Sequence, residues 1–207
     1  MLAKVWSAAT LGIDAVRIVI EVSEALAQQP GFTLVGLPDP AVREALARVR
    51  SALANCGFYL PQRHITVNLS PADVKKEGSG FDLPIGIGIL HALEFLRAED
   101  VAGRLFVGEL SLDGALTPVR GALSISAAIA GDDSVRELVV PIANANEAAA
   151  VQTVRVIGAR SIPTLLAHLR GTESIAPTIS APALEPEIDG ADFADVRGQS
   201  QAKRALE

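Results

Sequence analysis

A chain of 207 residues is long enough for one large domain, or for one domain and a fragment of another. Its composition is 49% hydrophobic but only 4% aromatic, so the core must be built from Ala, Val, Ile and Leu, the usage of α/β packing. The lone cysteine, Cys56, excludes an internal disulfide, and a net charge of −6 weighs against a dedicated nucleic-acid binder while leaving room for a local basic face. The opening MLAKVW has neither the basic region nor the long apolar run of a secretory signal, and Gly, Pro or charge interrupts every apolar run before it reaches membrane-spanning length. The expectation is a soluble, cytoplasmic protein with no membrane partner.

In chain order, Lys4 to Thr10 and Val16 to Val22 alternate about a turn at Gly12 to Asp14, which predicts a hairpin. Phe32 to Leu37 is a third strand, stopped by Gly36, Pro38 and Pro40, and a helix follows from about Asp39 to Asn55. Val42, Leu46, Val49 and Leu53 form its core stripe, while Arg43 and Arg50 share a solvent face beside Arg48, which Glu44 can pair at i, i+4. Pro61 to Leu69 contains a fourth strand with Ile65, Val67 and Leu69 on one face, and Arg63 and His64 at its entry. Lys75 to Leu93 is a charged, glycine-broken loop running straight into an apolar helix. Asp82 is the expected N-cap and Pro84 fits the first turn. Gly86 and Gly88 inside that helix cost roughly 1 kcal/mol each relative to Ala, which predicts a close backbone approach there.

Beyond it, Leu105 to Leu112 reads as a strand, Asp113-Gly114 as a hairpin turn and Leu116 to Val119 as its partner. Helices over Gly121 to Ala130, Ala143 to Val151 and Ser161 to Leu169 alternate with strands at Glu137 to Pro141 and Thr153 to Gly158, a βαβ pattern. Gly171 to Gly190 is rich in Pro, Ser, Thr and Ala and reads as a linker. DFADVRGQSQAKRALE then resumes helical patterning, as the opening of a further module cut short and expected to be disordered without its packing partners. The expected organisation is a domain over 1–170, a linker over 171–190 and a truncated module over 191–207.

Gly78, Ser79 and Gly80 make the kind of turn that presents a nucleophile or cradles an anion. A serine there needs a neutral amine or imidazole to take its proton, yet the sequence holds no lysine between Lys76 and Lys203, and arginine cannot serve. Lys75 and Lys76 lie too close in the same loop to be preorganised, and His91 stands two helical turns or more away. His64, His91 and His168 have no second metal ligand at useful spacing, so no metal site is expected.

FTLVGLPDPAVREALARVRSAL, PQRHITVNLSPADVKKEGSGFDLPIGIGIL and GELSLDGALTPVRGAL together resemble the N-terminal domain of the ComM/YifB family, the magnesium-chelatase-like AAA+ ATPases. The resemblance covers nearly the whole chain. It implies an α/β (α+β) fold with a mixed sheet, similar to the Lon protease domain and the RadA C-terminal domain (the ribosomal-protein-S-five domain-two-like fold). In Lon the corresponding loop carries a serine nucleophile and a later motif its lysine base; those positions fall here on Gly80 and Leu123, so the resemblance implies that both catalytic groups are absent. It further implies that residues 191–207 open an AAA+ module, with Val196, Gly198 and Gln199 near the adenine in the intact protein. No G-x-x-x-x-G-K-[ST] phosphate loop occurs in this sequence, so ATP and Mg2+ would belong to the full-length protein and no cofactor to this fragment.

The family resemblance implies a hexameric, ATP-driven motor acting on branched DNA in natural transformation, and for this region a non-catalytic accessory domain. Its partners would be its own AAA+ module, neighbouring subunits, and branched or single-stranded DNA. Candidate phosphate contacts are Arg43, Arg48, Arg50, Arg63, Lys75 and Lys76, salt-sensitive and without base readout. The acidic net charge and the lack of an exposed aromatic platform stand against DNA contact. Two alternatives stay open: a structural oligomerisation or partner-binding domain of a chelatase-like ATPase with a non-DNA client, and a Lon-like hydrolase.

Overall fold

The computed structural model describes residues 2–26, 29–180 and 195–206. The alternating opening folds as expected: β1 (Leu2–Leu11) pairs antiparallel with β2 (Asp14–Ala25), from Leu2 opposite Ser23 to Leu11 opposite Asp14. β3 (Gly31–Val35), α1 (Pro40–Asn55) and β4 (His64–Ser70) follow, with β3 and β4 parallel and α1 as their crossover. Next come α2 (Asp82–Ala92), α3 (Ala98–Val101) and β5 (Arg104–Phe106), then a separate small hairpin of β6 (Glu109–Leu110) and β7 (Leu116–Thr117). α4 (Ala122–Ile129), β8 (Glu137–Pro141), α5 (Ala145–Ala148), β9 (Val156–Ala159) and α6 (Ile162–Leu169) complete the body, and α7 (Ser200–Leu206) lies near the end of the chain.

The seven-stranded sheet runs β3-β4-β2-β1-β5-β8-β9, antiparallel only where β2 meets its two neighbours. It is a mixed α/β architecture with mostly parallel pairings. Helices cover both faces. Val5, Ile20, Val22, Val67 and Leu69 meet α1 and α2 on one side, and Leu105, Val107, Leu138 and Val140 meet α4 and α5 on the other. The registers place the starts of β1, β3, β4, β5, β8 and β9 at one end of the sheet. The loop that opens α2 therefore lies at the other end. Among the described residues no helix is long and apolar enough to cross a membrane.

Four local expectations change. The continuous strand over 105–112 is two strands in two sheets, because the chain leaves the large sheet at Gly108: its N–H reaches the Gly80 carbonyl and its own carbonyl takes the Leu83 N–H, both at 2.9 Å. Asp82 does not cap α2 but lies in its first turn, with Phe81 at the boundary. The helix expected over 143–151 is a 3-10 turn, Ile142–Asn144, followed by the single turn α5. The helix glycines admit side chains rather than a backbone: a Cβ on Gly88 would meet Val22 Cγ2 at 2.7 Å, and one on Gly86 only Val49 and Leu110 at ordinary distances.

Part of the stretch expected as linker is attached to the body. Thr172 and Glu173 donate to the Ala167 carbonyl, Ile175 packs against the core, and Thr178 N–H reaches the Val156 carbonyl on the edge strand β9 at 2.8 Å. Residues 181–194, which hold the rest of the expected linker and the start of the expected AAA+ fragment, lie outside the described residues.

Gly36 is a position whose backbone admits no side chain. Its φ is +101°, and a Cβ there would run into the Leu69 carbonyl. Gly36→Ala is expected to lower stability by more than about 2 kcal/mol in urea unfolding. Gly86→Ala, whose added methyl would meet Val49 and Leu110 at ordinary van der Waals distances, is expected to be neutral or stabilising by up to about 1 kcal/mol.

Candidate functional site

The α2 loop forms one wall of a cleft of about 550 Å³, whose other walls are Ala8 to Thr10 at the end of β1, Glu109, and Pro118 to Arg120. The wall is built from α1 outward. Asp39 caps α1 by accepting the Val42 N–H at 2.8 Å, and its second oxygen takes the Gly78 N–H at 3.1 Å. Its own N–H donates to the Lys76 carbonyl at 3.1 Å, while the Lys76 N–H donates to Leu37 at 3.3 Å. One aspartate thereby sews the start of α1 to the loop before α2.

Beneath the loop, Arg48 of α1 grips Asp82 with two donors, Nε at 2.7 Å and Nη2 at 2.9 Å. Asp82 is completely buried and also accepts the Leu110 N–H at 3.2 Å, which fixes β6 against α2. Burial pushes the Asp82 carboxyl above the usual carboxylate range, against the pull of Arg48 and the Leu110 N–H; the same pairing raises the Arg48 guanidinium further. Glu44 stands 3.7 Å from Arg48, the expected i, i+4 pair.

Within this frame Ser79 donates its hydroxyl to Glu109, and no lysine or histidine is among the residues lining the cleft. A serine hydroxyl so placed faces a carboxylate without an amine or imidazole to take its proton. Gly80 also lines the cleft. A Cβ there would meet Val107 at 3.4 Å and Val119 at 3.8 Å, so a side chain would fit and only the sequence leaves the position bare. Leu123 is 46% exposed on α4, its N–H bound to Glu147 at 3.1 Å, and it does not line the cleft. The charged lining is three carboxylates, Asp39, Glu77 and Glu109, against Arg120.

The candidate cations are dispersed. Lys76, expected on the loop surface, is fully buried and donates its Nζ to the Pro71 carbonyl; burial holds its ammonium below the ordinary lysine value. Lys75 is exposed and paired with Glu77, and Arg63 is paired with Glu24. Arg48, expected on a solvent face, is turned onto Asp82 because a buried carboxylate requires the partner. Arg43 and Arg50 are exposed and join no ion pair among the described residues. Val196, 44% exposed, precedes Gly198 and Gln199, which both have positive φ just before α7.

The histidines are separately occupied. His64 bonds Thr33 at 2.9 Å, and His91 donates from Nδ1 to the Leu96 carbonyl at 3.0 Å. His168 accepts the Ile175 N–H on Nδ1 at 3.1 Å, so its proton sits on Nε2, 3.8 Å from Glu137. Glu137 is held by Arg104 at 2.6 Å and Arg155 at 3.0 Å. Burial pushes the His168 imidazole below its ordinary value despite Glu137.

Over residues 18–144 the sequence matches the family described as subunit ChlI of Mg-chelatase. It is 43% identical over 210 residues to competence protein ComM of Haemophilus influenzae, an alignment covering 99% of this chain and 40% of that protein. Identity is 41% over 208 residues to YifB of Salmonella typhimurium, covering 100% of this chain and 40% of the relative. It is 40% over 205 residues to YifB of Escherichia coli, covering 98% and 39%. The chain spans about two fifths of the length of these relatives.

Arg48→Met strands the Asp82 carboxylate and is expected to lower stability by about 3–5 kcal/mol near neutral pH. Asp82→Asn in the same chain is expected to restore most of that loss in urea unfolding. With the guanidinium gone the folded-state pKa of Asp82 rises further, so the single variant's deficit should shrink as pH falls and the carboxyl protonates. His168 gives the opposite slope. Its folded-state pKa lies below the unfolded value of about 6.5, so the unfolded chain takes up the proton first, and stability present above that pH is lost as pH falls below it. Melting from pH 7 to 5.5 should show this decline, and His168→Phe should flatten it.

Proposed function

Because the chain belongs to the magnesium-chelatase-like ComM/YifB family, we propose that it is the non-catalytic accessory domain of an ATP-driven AAA+ motor that works on branched or single-stranded DNA. The observation that carries the non-catalytic half is the cleft: a frame with Gly80 and Ser79 at its lip, a hydroxyl given to Glu109, and no amine or imidazole in its lining. ATP with Mg2+ would be bound by the longer protein, whose AAA+ module residues 191–207 would open, with Val196, Gly198 and Gln199 beside the adenine. In a hexamer this domain would sit among its own AAA+ module and neighbouring subunits. That the Haemophilus influenzae relative is a competence protein supports DNA as the client.

On this reading Arg43 and Arg50 supply the phosphate contacts, since they are the candidates left exposed and without an ion pair among the described residues. A second reading, an assembly domain with a non-DNA client, is favoured by the inward turn of Lys76 and the carboxylates of the cleft. The two separate on forked and single-stranded DNA at two salt concentrations. The DNA reading predicts binding that weakens with salt, and a loss of about tenfold or more on combined Arg43→Glu and Arg50→Glu substitution. Absence of binding at low salt, or binding indifferent to the charge reversal, would sink it. A serine-reactive probe should leave Ser79 unlabelled on either reading.

A further inference from the structure

At the end of the sheet remote from the cleft, two cavities meet. One, of about 360 Å³, has Tyr59, Phe95, Arg63 and the carboxylates Glu24 and Glu94 in its wall. The other, of about 230 Å³, has Arg50, Arg63 and Phe32. Pro61 and Arg63 belong to both, so the two cavities adjoin and together form a groove between α1 and the C-terminal end of α2. Tyr59 is the chain's single tyrosine and is 81% exposed, in a protein that is only 4% aromatic. Phe95, 39% exposed, is fixed in place: it stands edge-on to Phe58 at 5.3 Å, and its carbonyl accepts an Arg170 N–H at 2.9 Å.

We propose that this groove binds single-stranded nucleic acid, with the backbone tracking Arg43 and Arg50 and a base stacking on Tyr59 beside Phe95. The inference rests on the DNA reading above and gives it an address. Sequence-tolerant binding of single strands combines a cationic track with aromatic faces, and here the two adjoin. Arg43 stands two turns before Arg50, about 10 Å along the helix at 1.5 Å per residue, and both are exposed. The carboxylates lie on the aromatic side, where bases rather than phosphates would come, and Glu24 is already paired with Arg63. Phe95 is held before anything arrives, so that part of the platform requires little ordering on binding.

The test uses this chain and a short oligothymidine. Tyr59→Ala alters a side chain that is four-fifths exposed, so the fold should be untouched, which a melting curve verifies. Affinity should fall roughly tenfold with no change in the salt slope, because stacking releases no counterions. Tyr59→Phe keeps the ring and should keep the affinity. Arg50→Gln should weaken binding and reduce the slope of log affinity against log salt by about 0.7. Binding that neither Tyr59→Ala nor Arg50→Gln changes would overturn the groove and leave the DNA reading standing; no binding at low salt would overturn both. A Tyr59→Ala effect on self-association with none on DNA would make the groove a protein surface and equally refute the proposal.

Discussion

The ion pair between Arg48 and Asp82 constrains everything at the cleft end of the molecule. Every residue of α2 is buried, and Asp82 is its one acidic side chain. A carboxylate there is tolerable only with a partner that neutralises it and occupies both oxygens. The guanidinium fork does so only if α1 crosses α2 with Arg48 over the first turn, so the charge sets the relation of the two helices. The carboxylate's remaining capacity takes the Leu110 N–H and fixes where β6 begins. Asp39 then fastens the loop from the other side through the Val42 and Gly78 amides. Apolar packing alone would leave more freedom, because a helix as uniformly apolar as α2 has no preferred face.

A rigid frame of this kind is what a catalytic loop requires, and here it holds a loop whose groups satisfy one another. Ser79 is given to Glu109, Lys75 to Glu77, Lys76 to the Pro71 carbonyl, and the Asp39 carboxylate to two backbone amides. What remains facing the cleft is mostly negative. Phosphate would be repelled there, which moves any nucleic-acid contact away from the loop that the sequence marks most strongly.

The sequence was legible wherever the deciding interaction is local. The β1–β2 hairpin, the buried stripe of Val42, Val49 and Leu53, and the alternation of β4 all rest on period and turn chemistry. Glu44 as a partner of Arg48 was equally readable, but Asp82 was not, since nothing in a helical periodicity points 34 residues ahead. The break at Gly108 was hidden by unbroken apolar character, because it is made by the Gly80 carbonyl and the Leu83 N–H from another element. Lys76 beside Lys75 and Glu77 looks like a solvated run; it is buried because the loop is hydrogen-bonded to Leu37 and Asp39 on both sides. Tyr59 and Phe95 are unremarkable singly, and only the fold makes them walls of one groove.

In a chain of net charge −6, several arginines of the body are matched by carboxylates: Arg17 with Asp132, Arg97 with Asp100, Arg104 and Arg155 with Glu137. Such pairs stabilise the domain modestly and leave no field to attract a polyanion over distance. Two unmatched arginines beside two aromatic rings can therefore offer only a weak, salt-sensitive contact from a single copy. On the proposed reading that weakness is useful: in a ring of copies held by a motor domain, each contact acts at the high effective concentration set by its tether. A strand can then be released one site at a time while the ring as a whole keeps hold of it.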